Sequence, residues 1–348
     1  MSKSPRSKID RRRALGALLG LAVGDALGTT LEFTRPEPAP FEPLLSGPHM
    51  EMTGGGPFDV APGQVTDDMQ MATCLAASLL ALDRFDADDV ARRYVEWKQL
   101  AFDIGRQTHA SLLAVEQGTP ARDAGRQTWE ADPRRPAGNG ALMRTAPIAI
   151  FFAADDGARR SAALADAAIT HYDPRCRIAC AAFNGAIAAA VRSSGSELSA
   201  RREVVDAARE EVNAAAVLLA TEGETLALEE ARVALLRDLD LSLADDPELY
   251  GPELHLLEQQ GFVRVAFRLA FWELVHAPDF RRGLLDVVNR GGDADTGGAI
   301  AGALLGAFHG QDAIPDRWVD RVLGALADQP GPLRDLYHPR RLLELVEG

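Results

Sequence analysis

Cysteine is scarce in this 348-residue chain: Cys74, Cys176 and Cys180 are the only three. A sparse, odd-numbered set implies no disulfide framework and fits a reducing compartment. Cys176 and Cys180 fall on one face of an expected helix with no acidic, His or Cys group to complete a zinc pattern. They read as small buried apolar residues. An uncharged run of the ~20 residues needed to span a bilayer is also lacking. The nearest approach, Ala14 to Val23, follows the basic Arg11–Arg13 but ends at Asp25 with no A-x-A-like cleavage site, so neither an export signal nor a spanning segment is expected. No period-2 alternation of six or more residues marks a strand. No internal repeat and no dividing linker is present. Positive charge is in deficit, 37 Lys and Arg against 51 Asp and Glu, a net of −14. Such a surface repels phosphate backbones, so nucleic acid is a poor partner.

What the chain does have is helical spacing. Leu15, Leu18, Leu19 and Ala22 recur at i, i+3, i+4 and i+7, and their neighbours are small or apolar too, the pattern of a helix buried all round. Met69 to Leu82 reads the same way. Asp86 is placed to N-cap a helix whose Val90, Tyr94 and Trp97 share a face. Helices are further expected over 141–154, 160–171, 175–192, 200–220, 225–239, 261–276, 279–290 and 297–309. Thr221 and Glu224 fit a capping box. Pro- and Gly-rich loops separate the helices at 35–48, 53–64 and 132–140. The economical architecture is one all-α domain over 14–348, preceded by a basic tail at 1–13 and carrying a Glu- and Arg-rich helical insertion at 195–255.

Two short stretches do not fit a purely structural reading. GGDADTGGAIAGALLGA (291–307) places Asp293, Asp295 and Thr296 at the head of an apolar helix, and QVTDDMQM (64–71) places Thr66, Asp67 and Asp68 at the head of another. Helix capping accounts for one polar residue per helix, not for two carboxylates and a hydroxyl in both places. Carboxylates at the edge of a core are costly unless a cation neutralises them. Oxygen-only donors select hard ions, and four carboxylates with two hydroxyls suit two ions sharing a bridging group.

With these residues in view, the chain resembles the ADP-ribosylglycohydrolases, most closely the bacterial branch acting on ADP-ribosylated dinitrogenase reductase. The resemblance runs from about Ala14 to Trp318. Its motifs are GLAVGDALGTTLEF (20–33), MTGGG (52–56), the TDD at 66–68, AGNGALMR (137–144), ITHYDP (169–174) and GGDADTGGAIAGALLGA. It implies a compact orthogonal bundle of helices around two Mg2+ or Mn2+ ions, held by Thr66, Asp67, Asp68, Asp293, Asp295 and Thr296. It implies that Glu32 acts as a gate or an acid/base group and that Asp103 lies near the distal ribose. Asp67 is a further candidate for the catalytic carboxylate. Gly138, Asn139, Gly140 and Met143 would wrap ADP-ribose, and His171 would contact it. The glycines at 291, 292, 297 and 298 would let backbone approach closely. The implied activity is hydrolysis of the bond between ADP-ribose and a modified arginine on a protein, by a cytoplasmic monomer with an ADP-ribosylated protein as partner.

The resemblance breaks at Met69, where the family often has Thr, and on the leaving-group side. There Arg106 stands where the arginine-specific branch has Asn. Phe262 stands in place of Tyr, with Val265 and Ala266 in place of Asp-Thr. These departures leave the acceptor open. The alternatives are another ADP-ribosyl linkage, O-linked or on a small metabolite, and a non-catalytic ADP-ribose-binding or toxin-immunity protein.

Overall fold

The structure is a computed structural model that describes residues 9–132, 134, 136–221 and 226–347. Among the described residues there is no strand, only three isolated bridges. The helices are α1 (Arg11–Gly28), α2 (Asp67–Leu82), α3 (Ala87–Lys98), α4 (Arg106–Glu116), α5 (Ala121–Ala131), α6 (Ala146–Phe151), α7 (Asp156–Thr170), α8 (Pro174–Arg192), α9 (Leu198–Ala220), α10 (Leu226–Leu241), α11 (Val263–His276), α12 (Phe280–Asn289), α13 (Ala294–His309), α14 (Asp316–Gly324), α15 (Pro332–Leu336) and α16 (Pro339–Glu347).

Helices α1 and α13 form the central pair, the most extensive packing between any two elements, with α8, α11 and α12 against α13. Every residue of α1 from Ala14 to Gly28 is buried, as are all those of α13 from Ala294 to Phe308. Their contact is a seam of glycines. A Cβ built on Gly16, Gly20, Gly24 or Gly28 would fall 1.9–2.3 Å from a carbonyl oxygen of Gly306, Gly302, Gly298 or Ala294 in turn. Small residues four apart let two backbones meet this closely, and no side chain larger than hydrogen fits between them. The expectation of close approach therefore holds for Gly298. Gly297, by contrast, meets only Val287 at an ordinary distance. The four-residue glycine spacing in α1 is the part of the seam that the sequence reading overlooked.

α1 is longer than the apolar run suggested. By length and composition it could cross a membrane, but 89% of its most apolar window is buried inside the fold. It also begins earlier than expected. Asp10 accepts from the backbone N–H groups of Arg12 and Arg13. Arg13 donates to the carbonyls of Ala190 and Gly195 at 3.0 and 2.7 Å. Residues 11–13 thus form the first turn of α1, held by the Asp10 cap and by the half-buried Arg13 side chain. The expected helix over 141–154 shrinks to α6. Asn139 turns the chain by accepting from Leu142 and Met143, and Arg144 reaches back to Gly140.

The segment 195–255 contains the antiparallel pair α9 and α10. It packs on the rest of the fold: Val204, Val205, Ala208, Val212 and Leu235 are fully or almost fully buried, and α9 lies along α8. Thr221 ends α9, its hydroxyl donating to Leu218. The expected capping partner Glu224 lies outside the described residues.

Candidate active site

The heads of α2 and α13 meet. Thr66 and Asp293 hold the N-cap positions of these helices, yet neither side chain accepts a capping bond from a backbone N–H of its helix. Asp293 is therefore free of capping duty, while Asp295 accepts from the backbone N–H of Thr296 at 2.8 Å through Oδ1 alone. The positive ends of both helix dipoles favour negative charge at this point. One oxygen from each of Glu32, Asp103 and Asp295 lies within 4.8 Å of the other two. These three, with Asp67, Asp293 and Thr296, line one wall of a cavity of about 860 Å³. Thr66 and Asp68 sit behind that wall, fully buried, with the Thr66 hydroxyl donating to Asp68 Oδ2 at 3.1 Å.

Burial raises the pKa of every carboxylate here. Glu32 is pushed up to about 9 by burial, then by Asp103 and Asp293. Asp103 rises to about 6 by burial, then by Asp293. Asp67, Asp68 and Asp295 are held well above the usual range by burial and by one another, and Asp293 is raised by burial while Asn139 opposes the shift. The charges acting most strongly on Glu32, Asp67, Asp68 and Asp295 are other carboxylates, not a Lys or Arg. Buried oxygens Glu32 Oε2 and Asp68 Oδ1 have no protein partner. An oxygen-only donor set with unsatisfied buried carboxylate atoms fits hard divalent cations.

Asp25 is the member that the sequence reading missed. It is fully buried in α1 and accepts from Thr66 N, Thr66 Oγ1 and Met69 N at 3.0–3.1 Å. Burial raises it to about 7 against those three donors. It thus ties the first turn of α2 to α1. An acidic residue among the small and apolar positions of a fully buried helix was the available signal.

The loop 137–144 lines the cavity beside the acidic wall. Asn139 donates through Nδ2 to Asp293 Oδ2 at 2.9 Å, and its backbone N–H donates to Gly261 O. Val263 N pairs with Ala137 O, which sets Phe262 beside Gly138. The His171 ring lies against Gly138 and Gly140, and a Cβ on either glycine would come within about 3 Å of it. His171 Nδ1 pairs with Thr170 Oγ1, and burial lowers the imidazole to about 3, so it faces the cavity neutral. Met143 approaches the Thr296 hydroxyl with its sulfur at 4.0 Å. Arg106 lines the same cavity from the first turn of α4, and the Arg175 guanidinium lies over the Phe262 ring, 5.3 Å from its centre. Every site residue singled out from the sequence is therefore at this cavity or directly behind its acidic wall.

A buried ion pair supports the loop. Arg144 and Asp166 have no exposed side-chain surface and lie 3.2 Å apart. Arg144 also donates to Gly140 O and covers the Tyr94 ring, whose hydroxyl donates to Asp166. Asp166→Ala leaves a buried guanidinium unpaired, and urea unfolding should show a loss of about 3–5 kcal/mol.

The ADP-ribosylglycohydrolase family model matches residues 6–345. The chain belongs to that family. It is 32% identical over 313 residues to ADP-ribosyl-[dinitrogen reductase] glycohydrolase of Rhodospirillum rubrum, covering 89% of this chain and 90% of that one. It is 30% identical to ADP-ribosylarginine hydrolase Tri1 of Pseudomonas putida (strain GB-1), over 92% of this chain and 76% of the relative. A solved ADP-ribosylglycohydrolase-related protein complex superposes with a TM-score of 0.68 at 30% identity, over 97% of this chain and 98% of that one. The chain is thus an ADP-ribosyl hydrolase, a glycosidase by reaction type.

Proposed function

We propose that this ADP-ribosylglycohydrolase removes ADP-ribose from modified arginine on a protein, using two Mg2+ or Mn2+ ions. The observation that carries the reading is the convergence of Glu32, Asp103 and Asp295 at one wall of the cavity, beside a glycine-bearing loop, the cavity being of the size a dinucleotide-like ligand needs. Two relatives named for the release of ADP-ribose or for ADP-ribosylarginine support the choice of linkage. Thr66, Asp67, Asp68, Asp293, Asp295 and Thr296 would hold the ions, which when bound would orient the ribose hydroxyls and a water by Lewis acidity.

The chain's own groups do the rest. Asn139 fixes one oxygen of Asp293. Gly138 and Gly140 carry no side chain of their own to hinder a diphosphate from reaching the loop backbone. Neutral His171 presents a ring to the ligand without adding charge. In the reaction the bond from ribose C1″ to the guanidine nitrogen breaks and a bond from C1″ to water oxygen forms. Glu32 and Asp103 between them take the proton from the water and deliver one to the leaving nitrogen. A cytoplasmic monomer acting on a protein partner completes the reading.

One observation favours a second reading. Arg106 is an exposed cation on the cavity, where a modified guanidinium would be repelled, and Phe262 offers a ring without a hydroxyl. Matched peptides linked through arginine and through serine separate the two. Arginine-linked turnover supports the proposal, and turnover of only the O-linked peptide replaces it with the second reading.

A further inference from the structure

The loop that follows Glu32 is fastened to the corner that carries Asp293 and Asp295, and one side chain supplies most of the fastening. Phe33 N donates to Gly292 O at 2.6 Å, and Gly292 N returns a bond to Thr34 O at 2.8 Å. Phe33 adopts a φ of +61°, a strained conformation for an aromatic residue, so its surroundings must hold it there. Gly291 and Gly292 also have positive φ, and a Cβ on Gly291 would strike Thr34 and Pro36. The next few residues depend on Arg290. Its guanidinium, almost wholly buried, is paired to Asp286 through two bonds of 2.6 and 2.9 Å. It also donates to the carbonyls of Ala39 and Glu42 and lies 4.1 Å from the centre of the Phe41 ring. Asp286 in turn accepts from Leu44 N.

We infer that Arg290 is a positioning residue: it clamps the 33–44 loop onto the α12–α13 corner and so fixes the separation of Glu32 from Asp293 and Asp295. The guanidinium is suited to this because it satisfies a carboxylate in a fork, two carbonyls at its edges and an aromatic face at once. Lysine can keep the charge pair but has neither the fork nor the flat face. The consequence is catalytic rather than merely architectural, because a carboxylate displaced by about 1 Å costs on the order of 10²-fold in rate.

The clamp rests on the proposed roles of Glu32, Asp293 and Asp295, so the test has an arm that does not need turnover. Hydrogen exchange on the full chain, wild type against Arg290→Lys and Phe41→Ala, reads the loop directly. The expected result is exchange in 33–44 faster by about tenfold or more, with α1 and α13 unchanged. In the same variants kcat for ADP-ribose release should fall about tenfold or more, while the Kd for ADP-ribose with Mg2+ stays within about threefold. Unchanged loop exchange, or a loosened loop with unchanged kcat, overturns the inference. Phe41→Ala leaves the buried ion pair intact and keeps the test decisive if Arg290→Lys fails to fold. A wild-type protein that releases no ADP-ribose would instead refute the proposed function, and the exchange arm would still decide whether the clamp exists.

Discussion

Asp295→Ala should abolish measurable release of ADP-ribose, a loss on the order of 10³-fold, the scale on which removal of one preorganised charged group is felt. Asp295 stands in the first turn of α13, within 4.8 Å of both Glu32 and Asp103, so it joins the two halves of the acidic wall. The same substitution should have an opposite effect on the chelated protein. Asp295 is buried among carboxylates that disfavour one another's charge, so removing it relieves repulsion that no protein cation offsets. In a thermal melt with chelator, the variant should unfold at or above the wild-type temperature. Adding Mg2+ should raise the wild type and leave the variant nearly unmoved, because ligand stabilisation requires an intact site. A variant that melts far below wild type under chelation would mean that Asp295 is structural.

Gly24→Leu should be among the most destabilising single changes in the chain. A Cβ there would sit 1.9 Å from Gly298 O, a backbone atom in the middle of a buried helix. No rotamer change absorbs that overlap, so α1 and α13 must separate. Overpacking commonly costs about 1–3 kcal/mol, and a backbone clash in the central seam belongs at or beyond the upper end. Gly24→Ala already carries the offending atom and should fail almost as badly. By comparison Gly297→Ala, whose Cβ would meet only Val287 at 3.4 Å, should lie within about 1 kcal/mol of wild type. Chemical denaturation of the three variants checks the ranking. The effect should reach the site as well, because Asp25 and the head of α13 lie along the same seam.

The two acidic clusters were legible because their chemistry is local: two carboxylates and a hydroxyl at a helix head are hard to explain as caps, and neither N-cap side chain, Thr66 or Asp293, makes a capping bond. Long apolar helices such as α1, α8 and α13 were legible for the same local reason. Helices α4, α5, α14 and α15 were not, since they start behind Gly105, Pro120, Pro315 and Gly331 with no side-chain cap to mark them. Asp25 was missed because its partners Thr66 and Met69 lie more than 40 residues away. Arg290 was missed likewise, being read as part of a helix end when its significance lies in Ala39, Phe41 and Glu42. Pairings of this range are set by the packing of whole helices, which spacing within one segment does not encode.

The most direct test of the central claim is release of free ADP-ribose from ADP-ribosyl-arginine by protein stripped with chelator, then resupplied with Mg2+ or Mn2+. The account predicts no release from the stripped protein and recovery with either ion, lost again in Asp295→Ala. Equal release with and without chelator would contradict it, because the acidic wall would then be working with no metal to neutralise it.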